Sequence, residues 1–243
     1  MLNYLKIIEK FGNQSFIRSQ ILDEIKRENP NYNEKSLNKS LERLIEKGFI
    51  IRVAEGMFVV PERKKNIYLY KSYNDTAINV RKIVKETFPL IDFTMFEMVQ
   101  LNQFVNHLIA KNTIFIEIEK DVEEHVFEKL KEEYNSVLYF PKPDDYFRYG
   151  EPDTIIIRAL PCRYPKNPRD KHGTSIEKLI VDLFANEIIW NSISQGDYPD
   201  ALENMFSAYQ INETKLFRYA IIRRVENELR MMLEKANIKL YTK

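Results

Sequence analysis

Apolar residues recur at helical spacing three times within the first 50 residues, which predicts three short helices. Gly12, the pair Asn29-Pro30 and Gly48 end these stretches. Asn33 is suited to cap the third helix, with Glu34 in its positive first turn. The three apolar stripes are Leu2, Leu5, Ile7 and Ile8; Ile21, Leu22 and Ile25; and Leu37, Leu41, Leu44 and Ile45.

After Gly48 the pattern changes to two short apolar runs, at 49–53 and 57–60, joined by Ala54-Glu55-Gly56. This pattern predicts a two-stranded hairpin with glycine in the turn. A lone hairpin is marginally stable in water, so it must pack on the preceding helices. Three helices followed by such a hairpin predict a winged helix-turn-helix domain, residues 1–65.

Helical and extended patterns alternate through residues 66–243, and the charged run at 62–65 marks the domain boundary. The alternation predicts an α/β domain with a mixed, partly parallel sheet and C-terminal helices, so the whole chain is α+β. We predict helices at 74–87, 98–108, 122–134, 175–186, 198–209 and 213–236, and strands at 91–96, 113–118, 137–140 and 154–160.

The charge of the 243-residue chain, formally +1, is unevenly distributed. Residues 1–65 carry 13 basic and nine acidic residues, a net charge of +4. Residues 66–165 have a net charge of −4, and residues 166–243 a net charge of +1. A basic N-terminal domain joined to an acidic middle is typical of a DNA-binding domain attached to a body that does not bind DNA.

The apolar stripe of the third helix determines which of its side chains face outward. Lysine and arginine neutralise phosphates, and asparagine pairs with adenine, so this face is suited to DNA. Arg52, together with Lys47 nearby, is placed to reach the adjacent backbone. An ordinary solvated face is the alternative, because Glu42 and Glu46 are spaced to pair with neighbouring bases. The candidate DNA-binding residues are Lys35, Ser36, Asn38, Lys39, Arg43 and Arg52.

Motifs for enzymatic chemistry are weak or missing, so we expect no catalytic residues, metal or cofactor. The six glycines are scattered, which argues against a phosphate-binding loop. Cys162 is expected to be a structural thiol and His172 a surface histidine. A metal-dependent enzyme acting on nucleic acid, with Asp153 or Glu117 as metal ligands, remains the alternative from a different class.

The segment from Thr174 to Asp182 has a structural explanation for each charge. Thr174 and Glu177 have the spacing of a capping box, and Lys178 can pair with Asp182 one turn away. Arginines of the last predicted helix are suited either to an acidic partner or to a solvated face. The candidate protein-interaction residues are Glu177, Lys178, Asp182, Arg223 and Arg224.

Two stretches of this chain resemble the AbiEi-like antitoxin family of type IV, abortive-infection toxin-antitoxin systems. They are Leu41-x-x-Leu44-x-x-x-Gly48-x-Ile50-x-Arg52 with Gly56-Met57-Phe58-Val59, and Glu177-Lys178-Leu179-x-Val181-Asp182-Leu183. The resemblance implies that residues 33–52 bind the promoter of the chain's own operon. It also implies that the C-terminal domain counteracts a nucleotidyltransferase toxin. It implies no catalytic residue.

We therefore expect a cytoplasmic transcriptional regulator, specifically an antitoxin that represses its own operon. Its expected partners are double-stranded operator DNA and a cognate toxin protein, with no membrane partner because no apolar run approaches ~20 residues. The alternatives are the nucleic-acid enzyme above, a stand-alone winged-helix regulator, and a winged-helix scaffold with no DNA role.

Overall fold

The computed structural model describes residues 4–242, and its N-terminal unit comprises three helices and a small sheet. A single 3-10 turn, Glu34–Ser36, directly precedes the third of these helices. The predicted helices and hairpin are present; Leu2 of the first stripe lies outside the described residues. The elements are α1 (Tyr4–Glu9), β1 (Phe16–Ile17), α2 (Arg18–Glu28), α3 (Leu37–Glu46), β2 (Ile51–Ala54) and β3 (Met57–Val59).

The sheet of the N-terminal unit has the order β1-β3-β2, with antiparallel pairing throughout. Phe16 of β1 pairs with Phe58, so the start of α2 is tied to the hairpin. The two-residue strand β1 was not predicted, because two residues carry no alternation. Apart from Leu5, which is 37% exposed, the described residues of the predicted apolar stripes form the core of this unit, in which Ile7, Ile21 and Leu37 are fully buried.

The body contains a four-stranded sheet formed by β4 (Phe93–Glu97), β5 (Thr113–Ile118), β6 (Val137–Tyr139) and β7 (Thr154–Ala159). Its order is β4-β5-β7-β6; β4 is antiparallel to β5, whereas β5, β7 and β6 are parallel. The predicted α+β class with a mixed sheet is confirmed.

Helices cover both faces of this sheet. The apolar side chains of the first two helices of the body pack on one face, and those of its last five helices pack on the other. The helices are α4 (Asp75–Thr87), α5 (Glu123–Glu133), α6 (Pro143–Tyr149), α7 (Ile176–Ala185), α8 (Glu187–Ser192), α9 (Tyr198–Ala208), α10 (Glu213–Arg223) and α11 (Glu226–Lys235), with 3-10 turns at Met98–Gln103 and Gln195–Asp197.

Two predicted helices of the body are wrong in extent. The helix expected at 98–108 is a 3-10 turn that ends at Gln103. The helix expected at 213–236 is broken at Arg224, whose φ of 60° lies in the left-handed region. There Val225 N–H bonds back to the carbonyl of Ala220, which closes α10 before α11 begins.

The N-terminal unit is joined to the body by hydrogen bonds on both sides of the segment near residue 65. Gln210 Nε2 donates to the carbonyl oxygens of Ile45, at the end of α3, and Lys65, at 2.8 and 3.0 Å. Asn66 N–H donates to Ala208 O, and Asn66 O accepts from Gln210 N–H. Across residues 4–242, we find no helix that combines the length and apolar character needed to span a membrane.

Candidate nucleic-acid interface

The helix α3 and the turn before it present a polar surface to solvent. Lys35 N–H donates to Asn33 Oδ1 at 3.0 Å, so the turn begins at the predicted cap. The opposite face of α3 is buried through Leu37 and Leu41 in the core of the N-terminal unit. Five of the six predicted DNA-binding residues are consequently exposed together: Lys35, Ser36, Asn38, Lys39 and Arg43.

Three basic residues on α3 and the turn before it differ in ion pairing from four other basic residues of this unit. In the described part of the chain, Lys35, Lys39 and Arg43 make no ion pair with a carboxylate. Their positive charges are therefore available to a ligand. The paired residues are Lys10 with Glu24 and Glu28, Lys26 with Glu34, Arg27 with Glu24, and Arg52 with Glu42.

The polar residues at the start of α3 are already partly engaged. Ser36 Oγ donates to the carbonyl of Asn33 at 2.7 Å. Asn38 Oδ1 accepts from Arg18 Nε at 3.0 Å, which leaves the Asn38 amide hydrogens for another acceptor. A bidentate contact from Asn38 to adenine requires both ends of the amide, so the Arg18 bond must open first.

Arg52 differs from the other predicted DNA-binding residues, because Glu42 neutralises its charge. The ion pair joins β2 to α3, and the guanidinium lies 5.5 Å from the ring centroid of Phe58. A phosphate contact at Arg52 therefore has to compete with Glu42.

A cleft of about 280 Å³ separates α3 from the body. Glu42, Ile45, Glu46 and Arg52 line it from the N-terminal unit. The body contributes the loop 166–169, the start of α7, and the segment from Gln210 to Lys215. This cleft could not be predicted from the sequence, because α3 and the loop 166–169 on its opposite wall lie more than 100 residues apart in the chain.

The predicted protein-interaction residues of α7 lie inside the body instead of on its surface. Lys178 is 3% exposed, and its Nζ lies 2.6 Å from Glu117 Oε2 and also pairs with Asp182. Asp182 further accepts from Tyr219 OH at 3.1 Å and from Arg223 Nη1 at 2.5 Å. The predicted Lys178–Asp182 pair thus exists, but as part of a buried network that joins α7, α10 and β5.

The pKa of Lys178 reflects two opposing influences. Burial alone favours the neutral amine, but Asp182 and Glu117 outweigh it and raise the pKa of Lys178 above its ordinary value. Lys178 therefore stays charged and holds the carboxylates of Glu117 and Asp182 together, so its role is to stabilise the fold.

Glu177 is also buried, and this overturns the predicted capping box. The side chain that caps α7 is Ser175, whose Oγ accepts from Lys178 N–H at 3.1 Å. Glu177 Oε1 instead accepts from Asn212 N–H at 3.0 Å, and burial raises the pKa of its carboxyl group. The prediction that Glu177, Lys178 and Asp182 contact a protein partner is wrong, because all three side chains are buried in the body. Of the other two predicted residues, Arg224 is exposed and Arg223 is half-buried.

The two carboxylates considered as metal ligands lie at different ends of β5. Asp153 Oδ1 accepts from Asn112 Nδ2, directly before β5, whereas Glu117 is five residues further along, ~16 Å in an extended strand. Asn112 Nδ2 also donates to buried Glu97 at 2.8 Å. Within residues 4–242, no group of three or more histidine, cysteine or acidic side chains is arranged to hold a metal ion.

His172 is buried, although a surface histidine was expected. Its ring stacks on Phe93 with centroids 4.1 Å apart, and burial lowers its pKa. Cys162 is exposed as a free thiol.

Sequence similarity to other proteins extends from the start of α3 almost to the C-terminus. A model described as "Family of unknown function (DUF6577)" matches residues 36–239. No curated protein matches the chain. One similar solved structure is the crystal structure of RV2827C protein from Mycobacterium tuberculosis, at 9% identity and a TM-score of 0.34, covering 95% of this chain and 79% of that chain.

Proposed function

The chain belongs to DUF6577, a family of unknown function, and we propose that it is a non-enzymatic, DNA-binding transcriptional regulator acting in the cytoplasm. One observation carries the proposal: the cations on the exposed face of α3 lack carboxylate partners within the described residues, whereas four other cations of the same unit are paired. Cations without carboxylate partners on the exposed face of a helix are suited to bind the phosphates of DNA.

The order of elements in the N-terminal unit supports the same proposal. Three helices followed by a hairpin is the order of a winged helix, in which the last helix enters the major groove. Lys39 and Arg43 then contact backbone phosphates or guanine edges, and the hairpin lies against the adjacent backbone.

A salt titration with DNA tests this function. Lys39→Ala with Arg43→Ala should weaken binding to a duplex from the region upstream of the chain's own gene. The slope of log K against log salt should become shallower by about two, since roughly one counterion is released per neutralised phosphate. Lys82→Ala with Lys85→Ala removes two exposed charges from α4, on the body, and should leave both quantities unchanged. Equal binding by the α3 variant and the unaltered chain would contradict the proposal.

We further propose the narrower role of an antitoxin that represses its own operon and neutralises a nucleotidyltransferase-type toxin. Exposed aromatic residues of the body favour a protein partner: Tyr139 and Phe140 are 42% and 47% exposed. Glu124, at the start of α5, is exposed and acts electrostatically on Tyr139, so the partner surface should be basic.

Coexpression with the protein encoded by the adjacent open reading frame tests this role. The chain should relieve growth arrest caused by that protein, and Tyr139→Ser with Phe140→Ser should abolish the relief. Leu90→Ser, at a residue that is 95% exposed, is the control and should still relieve the arrest. A neighbour that is harmless alone, or arrest that the unaltered chain does not relieve, would sink the antitoxin role and leave DNA binding standing.

A further inference from the structure

Basic side chains also line the body wall of the cleft beside α3. Arg169 and Lys215 are exposed and face the cleft that Glu42 and Glu46 line from the other side. Neither makes an ion pair among residues 4–242. Lys166, on the same wall, differs because it pairs with Asp92 at 2.8 Å.

The backbone around Arg169 is firmly held. Buried Asn167 accepts from the N–H groups of Arg169 and Asp170, and its amide donates to Thr174 O at 2.7 Å. Arg81 pairs with the carboxylate of Asp170, which anchors the next residue to α4. The loop therefore presents Arg169 from a fixed position, which lowers the entropy lost when the side chain binds a ligand.

Lys215 occupies a position that helix stability does not favour. It lies in the first turn of α10, whose cap Asn212 accepts from Lys215 N–H at 3.0 Å. A cation in the first turn opposes the helix dipole. Glu213 of the same turn does not pair with Lys215, because its carboxylate is buried and accepts from the N–H groups of Tyr241 and Thr242.

We propose that Arg169 and Lys215 form a second DNA contact, which holds the phosphate backbone of the duplex bound by α3. This inference rests on the proposed DNA-binding function. The cleft, at about 280 Å³, is too small to enclose a DNA duplex, whose major groove alone is ~12 Å wide. One strand of the duplex therefore passes over the mouth of the cleft. Arg169 and Lys215 then neutralise phosphates on the body side, while Lys39 and Arg43 act on the α3 side.

Fluorescence anisotropy with the full-length chain and a 30-base-pair duplex of random sequence tests the second contact. Titrations between ~50 and 250 mM KCl give the slope of log K against log salt. Arg169→Ala with Lys215→Ala should make the slope shallower by about two and weaken binding at 0.1 M salt on the order of tenfold or more. Charge reversal, Arg169→Glu with Lys215→Glu, should weaken it further.

Lys82→Ala with Lys85→Ala is the matched control, because it removes the same charge from α4, on the other face of the body sheet. If this control loses as much affinity as the Arg169 and Lys215 variant, the loss reflects only the change in net charge, and the second contact is overturned. An unchanged slope in the Arg169 and Lys215 variant, with a shallower slope for Lys39→Ala with Arg43→Ala, would overturn the second contact alone. If the unaltered chain binds no duplex, both proposals fall.

Discussion

Lys178 and Lys39 carry the same charge, but their surroundings give them opposite tasks. Lys178 is enclosed between Glu117 and Asp182 inside the body, where it and Arg223 together balance the two negative charges. Lys39 is exposed on α3 and has no ion-pair partner in residues 4–242. The sequence indicated the Lys178–Asp182 pair from its spacing, but not the burial, because Glu117 comes from a strand some 60 residues earlier.

Lys178→Met should destabilise the fold strongly. The substitution leaves Glu117 without its cation and leaves Asp182 with Arg223 alone, and breaking a buried ion pair in this way typically costs about 3–5 kcal/mol. Urea unfolding at pH 7 measures the loss, with Lys82→Met on exposed α4 as the control. A loss below about 1 kcal/mol would show that the network contributes little.

The same network predicts how stability depends on pH. Because the folded state raises the pKa of Lys178, its contribution should be complete below the unfolded value, ~10.4, and should decline as pH rises through the folded pKa. The difference in unfolding free energy between the unaltered chain and Lys178→Met should therefore be constant from pH 6 to 9. A difference that shrinks steadily over that range would contradict this assignment.

Glu46→Gln should tighten DNA binding. Glu46 is exposed on α3, lines the cleft and makes no ion pair in the described part of the chain, so its charge repels a nearby phosphate. Removing that charge should raise affinity severalfold at low salt, with a smaller gain as salt screens the repulsion. Glu28→Gln, a carboxylate paired with Lys10 on α2, serves as the comparison. Unaltered or weaker binding by Glu46→Gln would argue against a duplex beside this face.

At the scale of elements, sequence periodicity identified the helices and strands that have a continuous apolar face or run buried in the core. The stripes in α2 and α3 and the apolar strands β5 and β7 lie where their spacing predicted. Elements fixed mainly by tertiary contacts were missed, as with β1, α6 and α8. The break at Arg224 could not be predicted either, because arginine is a good helix former and no local pattern shows that α11 packs separately, against α9 and α7.

Arg224→Gly should stabilise the protein, although glycine normally weakens helices. The residue has a φ of 60°, which glycine adopts without the steric penalty that a side chain pays. We expect a gain of about 0.5–1 kcal/mol in unfolding free energy. Arg218→Gly, at an exposed position inside α10, should instead lose about 1 kcal/mol. Destabilisation of similar size by both substitutions would show that Arg224 is an ordinary helical residue.

At the scale of the whole molecule, the sequence predicted the exposed face of α3 but not what lies beside it. The apolar stripe of the helix was enough to predict which residues face outward. The cleft lies beside the contact in which Gln210 joins the body to Ile45 and Lys65. These two residues precede Gln210 by 165 and 145 positions in the chain. Such contacts leave no local pattern in a single sequence. The boundary near residue 65 stays a prediction.

Gln210→Ala should loosen the N-terminal unit from the body. Two carbonyl groups lose their donor, which costs about 1–2 kcal/mol. The segment 62–66 should open more often, so trypsin should cleave after Lys64 and Lys65 several times faster than in the unaltered chain. Gln195→Ala, at an exposed glutamine of the body, should leave the cleavage rate unchanged. Equal rates for both variants would mean that other contacts hold the unit.

Photo-crosslinking from the start of α3 tests the central claim most directly. A photoreactive amino acid at Ser36 lies on the proposed DNA surface and removes no charge, and one at exposed Asn79 on α4 is its counterpart on the body. With a duplex from the upstream region, the account predicts a salt-sensitive crosslink from position 36 and none from position 79. No crosslink from position 36 under conditions where the duplex is bound, or equal crosslinking from both positions, would contradict it.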